Sequence, residues 1–299
     1  DTPERALAQA HMALRVRQEG RRWVQTLKAG GSNTMMRLED NQPAKAPKAG
    51  QAVVADLDRH HGTPAEAALR AVLGWDPAQD PSGAATGLIE LYRTDITRHR
   101  ARVTVGAGTP YEGVVELALD LGHIHAGELN VTVRELEIES ISGHPMAVIE
   151  ASRDWVRRHG VWLDTQTKAH RGDRLARQVQ PPPAQPAASA KAATPNTRDW
   201  RAELVRCLQR ITTPMSALAA SNAASTKDSL QDWRSGLLAL TTQLEAAELA
   251  GQTWAEELQS AARSLASRLH AIDEHEAATE ARSAQQTALC LDLLAALLP

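Results

Sequence analysis

The sequence predicts an α+β fold built on an antiparallel sheet in its first part, followed by an all-α part. Charged and aliphatic residues alternate with a period of two in the first part, as at positions 13–17 and 135–139, and this alternation is typical of half-buried strands. In the last part, aliphatic residues such as Leu237, Leu240 and Leu244 recur three or four positions apart, which predicts amphipathic helices.

A stretch rich in proline and alanine separates the two parts. It covers residues 178–197 and includes Pro181, Pro182 and Pro183. Proline has no amide hydrogen to donate to a helix or a sheet, so this stretch is predicted to be an extended linker. We therefore expect a first domain at residues 1–177, a linker at 178–197 and a helical domain at 198–299.

The first part also contains two helices with recognisable ends. One begins with Thr63 and Pro64, carries Glu66 at the position of a capping box, and ends before Gly74. The other is predicted at residues 145–159, with basic residues in its last turn and a glycine after it. These helices would flank the sheet formed by the alternating strands.

Bulk composition excludes several classes of protein. The 33 basic and 36 acidic residues nearly cancel, so no overall field attracts nucleic acid or an anionic membrane. No apolar run approaches the length of about 20 residues that a membrane helix needs. The cysteines, Cys207 and Cys290, are too few for a disulfide framework and suit a reducing cytoplasm. The glycine motifs of nucleotide-binding loops and the elbow of serine hydrolases are missing from the sequence.

Each predicted strand carries its charges on one face, because side chains two positions apart point the same way. The rows are Arg15 with Arg17, Arg98 with Arg100 and Arg102, Glu116 with Asp120, and Glu135 with Glu137 and Glu139. Such a face usually lies in water. Carboxylate rows also suit a divalent cation, and guanidinium groups match phosphate oxygens. The charge pattern leaves both interpretations open: solvated faces, or the polar lumen of a closed barrel.

Six motifs follow one another in an order that resembles the CYTH domain family. They are Asp1-Thr2-Pro3 with the strand at 12–17, the strand at 23–28 that ends in Lys28, Tyr92-Arg93-Thr94-Asp95 leading to Arg98-His99-Arg100, the acidic strands at 115–120 and 135–139, and Thr167-Lys168-Ala169-His170-Arg171-Gly172. This resemblance implies an antiparallel β-barrel with flanking helices, whose tunnel binds triphosphate.

The resemblance also implies roles for individual residues. Triphosphate oxygens would be bound by Arg15, Arg17, Lys28, Arg93, Arg98, Arg100 and Lys168. Glu137 and Glu139 would ligate Mg²⁺ or Mn²⁺, and together with Lys168 they are the implied catalytic residues. Glu116 or Asp120 would help to hold the metal or to orient water. Glu135 belongs to the candidate ligands as well, because the acidic repeat leaves the register open by one pair.

One family motif is missing and a second resemblance is partial. The first strand of the family, E-x-E-x-K, would precede Asp1, so we expect the chain to be truncated at that end. The helical part resembles the start of a CHAD domain, in which Arg234 and Gly236 match a short motif. Gln231 replaces the motif's histidine, and helix packing is the preferred interpretation of these helices.

The sequence therefore predicts a cytoplasmic, metal-dependent inorganic triphosphatase. Two other CYTH activities, adenylate cyclase and thiamine triphosphatase, remain as alternatives within the family. A catalytically inactive protein that binds polyphosphate or acts as a scaffold is the alternative outside the enzymes. Nucleic acid and membranes are not expected as partners.

Overall fold

A computed structural model describes residues 1–30, 37–48, 51–179, 200–220, 226–249 and 251–298. The chain forms two compact units. The first combines Asp1–Asp95, His123–Val131 and Ala169–Ala188, and the second combines Ile96–Gly122, Thr132–Lys168 and Ser189–Pro299. The predicted mixture of α and β structure, with antiparallel sheets first and helices last, is confirmed.

The first unit contains a three-stranded antiparallel sheet in the order β1–β2–β3. Its strands are β1 at Met12–Glu19, β2 at Arg22–Gly30 and β3 at Arg37–Ala44. One face packs on an apolar core that includes Leu7, Leu27 and Leu69. Because side chains alternate across a strand, the opposite face carries Arg15, Arg17 and Lys28.

Two short helices lie beside this sheet, and the sequence predicted one of them. Helix α1, Ala6–Gln9, was not predicted; the Asp1 carboxylate accepts the backbone N–H groups of Leu7 and Ala8 in its first turn. Helix α2, Pro64–Leu73, has the predicted bounds. The predicted capping box is not formed, because Glu66 Oε2 accepts the N–H of Gly62 instead of that of Thr63. The Thr63 hydroxyl accepts the N–H of Ala65, and Gly74 adopts the left-handed conformation at φ 62°.

The second sheet has the order β4–β5–β6. Its strands are β4 at Arg93–Val105, β5 at Gly113–Ala126 and β6 at Leu129–Gly143. Helix α3, Met146–His159, is the second predicted helix, and it buries Ala147 and Ala151 against Val115 of the sheet. The other face of the sheet is thereby left for the polar side chains described below.

The closed barrel expected from the resemblance is not formed by the described residues. Their strands make two separate three-stranded sheets, with β1 and β3 at the edges of one and β4 and β6 at the edges of the other. A barrel closes only when every edge strand is hydrogen-bonded to a further strand. Within the described part of the chain, no such strand pair is present.

The remaining helices follow in sequence order. They are α4 at Lys168–Val179, α5 at Trp200–Ala220, α6 at Thr226–Leu249, α7 at Ala255–Ala271, α8 at Glu274–Ala281 and α9 at Ala284–Leu297. Helix α4 begins at the predicted closing lysine and extends into the predicted linker, of which residues 180–197 lie outside the described residues. None of the helices that the structure describes has the length and apolarity needed to cross a membrane.

Helices α5 to α9 share one apolar core, and the predicted periodicity identifies its members correctly. Leu237, Leu240 and Leu244 of α6 are fully buried there. Arginines satisfy carbonyl groups at two helix ends. Arg234 donates to the carbonyl oxygens of Leu269, in the last turn of α7, and of Ile272, which follows α7. Arg282 donates to the carbonyl oxygen of Ala219 in α5.

The segment between α3 and α4 packs on these helices. Trp162 and Leu163 are half-buried against their core. The backbone N–H of Thr165 donates to Ser216 Oγ of α5 at 2.9 Å, and the N–H of Leu163 donates to Thr287 Oγ1 of α9 at 3.3 Å. The helical part therefore fixes the chain just before Lys168.

Candidate metal centre

Three carboxylates meet on the polar face of the second sheet. Asp120 lies on β5, and Glu135 and Glu137 lie two positions apart on β6, so that both point to the same face. Each supplies a carboxylate oxygen, and these oxygens lie within 4.8 Å of one another. The Asp120 side chain is only 1% exposed, which marks it as the innermost of the three.

Two cationic side chains pair with these carboxylates. Lys168 Nζ lies 2.6 Å from Asp120 Oδ2 and 2.7 Å from Glu137 Oε1, and it also contacts Glu135 Oε1. Arg98 donates from Nε to Asp120 Oδ1 at 2.6 Å and from Nη2 to Asp120 Oδ2 at 2.7 Å. The same Nη2 donates to Glu137 Oε2 at 2.5 Å. We call these five residues the acidic cluster: Asp120, Glu135, Glu137, Arg98 and Lys168.

The pKa values in the acidic cluster reflect this pairing. Burial opposes ionisation of Asp120 and Glu137, but hydrogen bonds from Arg98 and Lys168 to Asp120, and from Lys168 to Glu137, lower both pKa values. Burial alone would lower the pKa of Lys168, whereas hydrogen bonds to Asp120, Glu135 and Glu137 raise it. The hydrogen bonds to Asp120 chiefly raise the pKa of Arg98. Asp120, Glu137, Arg98 and Lys168 are therefore charged at neutral pH.

The remaining charged residues of this sheet lie outside the acidic cluster. Glu139 is exposed, although it continues the row of Glu135 and Glu137. Glu116 faces Arg102 Nε at 3.5 Å and Arg100 Nη1 at 3.9 Å, which makes a second and looser group. The sequence left open whether Glu137 pairs with Glu135 or with Glu139 at the metal. The structure brings together Glu135 and Glu137.

Three predicted phosphate-binding residues of the first unit, Arg15, Arg17 and Lys28, lie on the polar face of its sheet. Arg15 and Arg17 face the same side as Lys28, because Arg15 is opposite Thr26 and Lys28 is opposite Ala13. Burial and the neighbouring charge of Arg17 lower the pKa of Arg15. Arg93 is exposed at the start of β4.

Sequence reasoning missed the carboxylates that pair with these basic residues. Lys28 Nζ lies 3.0 Å from Glu39 Oε2, and Arg93 Nη2 lies 3.1 Å from Glu90 Oε2. Glu39 is opposite Lys28 in the pairing of β2 with β3, so only the strand register would have found it. Glu90 stands three residues before Arg93, so their closeness in sequence could have predicted this ion pair.

The acidic cluster fits a divalent cation of the hard type. Mg²⁺ and Mn²⁺ prefer oxygen ligands, and Asp120, Glu135 and Glu137 offer carboxylate oxygens that converge on one point. Three negative charges meet two positive ones in the cluster, so a net charge of −1 remains to favour a further cation. The guanidinium group of Arg98 and the ammonium group of Lys168 are also the types that bind phosphate oxygens.

Fold and site together define the class of protein: an α+β protein whose antiparallel sheet carries three carboxylates paired with an arginine and a lysine. Comparison with known families is more specific. The profile of the CYTH domain matches residues 1–172, more than half of the chain, and the chain belongs to the CYTH domain family. This match confirms the family proposed from the six motifs.

The chain is also similar to a curated protein. The inorganic triphosphatase of Haemophilus influenzae is 28% identical to this chain over 175 residues. The aligned part covers 58% of this chain and 43% of the relative, so the chain spans less than half the length of that protein. The CYTH match ends before the helical part, whose resemblance to CHAD stays a prediction.

Proposed function

We propose that this protein hydrolyses inorganic triphosphate to pyrophosphate and phosphate in the presence of Mg²⁺ or Mn²⁺. The observation that carries the proposal is the convergence of Asp120, Glu135 and Glu137 with Arg98 and Lys168 on one face of a sheet. Membership of the CYTH family and the similarity to an inorganic triphosphatase support it.

The residues of the chain have separate tasks in this proposal. Asp120, Glu135 and Glu137 would hold the divalent cation. When bound, that cation supplies charge neutralisation on the polyphosphate and positions water for attack on phosphorus. Arg98 keeps Asp120 and Glu137 ionised through its hydrogen bonds, and it orients their free lone pairs.

Basic side chains would bind the substrate's oxygens. Lys168 lies within the acidic cluster, and we assign it to the phosphate nearest to the metal. Arg15, Arg17 and Lys28 share the polar face of the first sheet and are proposed to bind phosphate oxygens. Arg93 and Arg100 are assigned to the same task, and both are exposed to solvent.

The test is phosphate release from tripolyphosphate in Mg²⁺ and then in Mn²⁺, with ATP and thiamine triphosphate measured in parallel. We expect tripolyphosphate to be the preferred substrate. Glu137→Gln should lower kcat at least about 100-fold, because it removes one charged oxygen ligand of the metal. The matched control is Glu128→Gln, which makes the same chemical change at an exposed turn between β5 and β6.

The results separate this function from the alternatives. Faster release from thiamine triphosphate, or cyclic AMP formed from ATP, would assign one of the other CYTH activities. Metal-independent binding of tripolyphosphate without phosphate release would assign a binding protein. That second candidate has support in the structure, because every carboxylate of the acidic cluster already contacts a cationic side chain.

A further inference from the structure

Lys168 occupies the position at which the carboxylates of the acidic cluster converge. Its ammonium group contacts Asp120 Oδ2, Glu135 Oε1 and Glu137 Oε1, one oxygen from each residue. A single cationic group that contacts all three carboxylates takes the place of a metal ion. It marks the point at which the carboxylates would attract a divalent cation most strongly.

We propose that Lys168 is an exchangeable counter-ion of the metal centre: a divalent cation displaces its ammonium group from Asp120, Glu135 and Glu137, and the released group then becomes available to a polyphosphate anion. This inference rests on the proposed function and adds an order of events to it. The metal binds first, and only then can Lys168 bind the substrate.

The displacement follows from the contacts. An ammonium group and a divalent cation that both touched the same three oxygens would lie within direct repulsion of each other. Loss of Lys168 from the cluster leaves −3 from the carboxylates and +1 from Arg98, and a divalent cation brings this sum to zero. The exchange therefore improves the charge balance of the cluster.

Arg98 differs from Lys168 and would stay in place. Its guanidinium group holds Asp120 Oδ1 and Glu137 Oε2, two oxygens that Lys168 does not contact. The planar guanidinium group makes paired hydrogen bonds to Asp120, whereas a lysine ammonium group is a point charge on a flexible stem. The cluster thus contains one fixed cation and one exchangeable cation.

The first experiment measures Mn²⁺ binding by titration calorimetry on the full chain. Suppose that Lys168 contacts the carboxylates in about nine molecules out of ten. Only the remaining molecules can bind Mn²⁺, which weakens the apparent Mn²⁺ affinity of the wild type in proportion. Lys168→Met should therefore bind Mn²⁺ about tenfold more tightly than the wild type. The control is Arg102→Met, which removes one positive charge from the same sheet without touching Asp120, Glu135 or Glu137. We expect that variant to change the Mn²⁺ affinity less than about threefold.

The second experiment observes the lysine itself. Amine acetylation, read by mass spectrometry, should modify Lys168 several-fold more slowly than the exposed Lys45 in metal-free protein. Saturating Mg²⁺ should bring the two rates close together. Lys168 that stays protected at saturating Mg²⁺, or equal Mn²⁺ affinity in Lys168→Met and wild type, overturns the exchange and leaves the proposed function intact. Absence of Mn²⁺ binding in both proteins overturns the exchange and the metal-dependent function together.

Discussion

Glu135, Glu137 and Glu139 repeat at one spacing along β6, yet their contacts and their exposure differ. The first two contact Lys168, and the third is exposed. Side-chain alternation places all three on one face but does not fix how far along the strand the neighbouring charges lie. That position depends on Asp120 of β5 and on Lys168, which are distant in sequence.

This difference gives a prediction for single substitutions. Glu135→Gln should weaken Mn²⁺ binding at least about tenfold, because it removes the charge of one converging carboxylate. Glu139→Gln should weaken it less than about twofold, because exposed charges at a distance are screened. Titration calorimetry measures both. A larger loss in Glu139→Gln than in Glu135→Gln would show that the metal uses the other register of the acidic row.

At the scale of elements, Arg234 and Gly236, the residues that resemble a CHAD motif, take part in contacts between helices. Arg234 of α6 donates to the carbonyl oxygens of Leu269 and Ile272 at the end of α7. Gly236 lies where α6 crosses α5, and a Cβ atom built there would be 2.9 Å from the carbonyl oxygen of Arg210. The motif therefore holds helices together in this chain, in agreement with the preferred interpretation as helix packing.

The crossing of α5 and α6 can be tested at Gly236. Alanine favours a helix by about 1 kcal/mol over glycine. Even so, Gly236→Ala should lower the free energy of unfolding by about 1–3 kcal/mol, because its Cβ would meet backbone atoms of α5 that cannot move aside alone. Urea unfolding followed by far-UV circular dichroism is the measurement.

A control for that substitution lies on the same helix. Asp232 of α6 is exposed, and Asp232→Ala should change the free energy of unfolding by less than about 0.5 kcal/mol. An increase in stability in Gly236→Ala would mean that the two helices are not packed as closely as described.

At the scale of the whole molecule, the helical part is connected to the acidic cluster by contacts with the segment that precedes Lys168. Thr165 is bonded to Ser216 of α5, and Leu163 is bonded to Thr287 of α9. Arg153 of α3 also pairs with Asp292 of α9. These contacts fix the backbone from which Lys168 extends into the acidic cluster.

Removal of one contact should loosen that segment. Ser216→Ala leaves the N–H of Thr165 without its acceptor, a loss of about 1–2 kcal/mol that corresponds to roughly tenfold faster hydrogen exchange at residues 163–167. Mass spectrometry of peptides from the full chain measures the exchange. Ser235→Ala is the control, since the Ser235 hydroxyl donates to the carbonyl oxygen of Gln231 within the same helix, α6. Unchanged exchange in Ser216→Ala would show that Ser216 does not hold the segment.

The sequence was sufficient for features that depend on near neighbours in the chain. Capping residues located α2, and the 3–4 residue repeat located the buried leucines of α6. The charge rows together with the resemblance to the CYTH family identified every member of the acidic cluster as a candidate. The pairing of Lys168 with Glu135, the partner of Lys28, and the division into two sheets were not predictable, because each depends on contacts between distant residues.

The burial of Trp162 and Leu163 has a consequence for how genes of this kind can be recombined. The proline-rich stretch is the obvious place to exchange one module for another, since it precedes α5, which begins at Trp200. Trp162 and Leu163 nevertheless precede the prolines in sequence, whereas the core that covers them belongs to helices that follow the prolines. A chimaera joined at the prolines would expose an apolar surface close to Lys168 unless the new helical part covered Trp162 and Leu163.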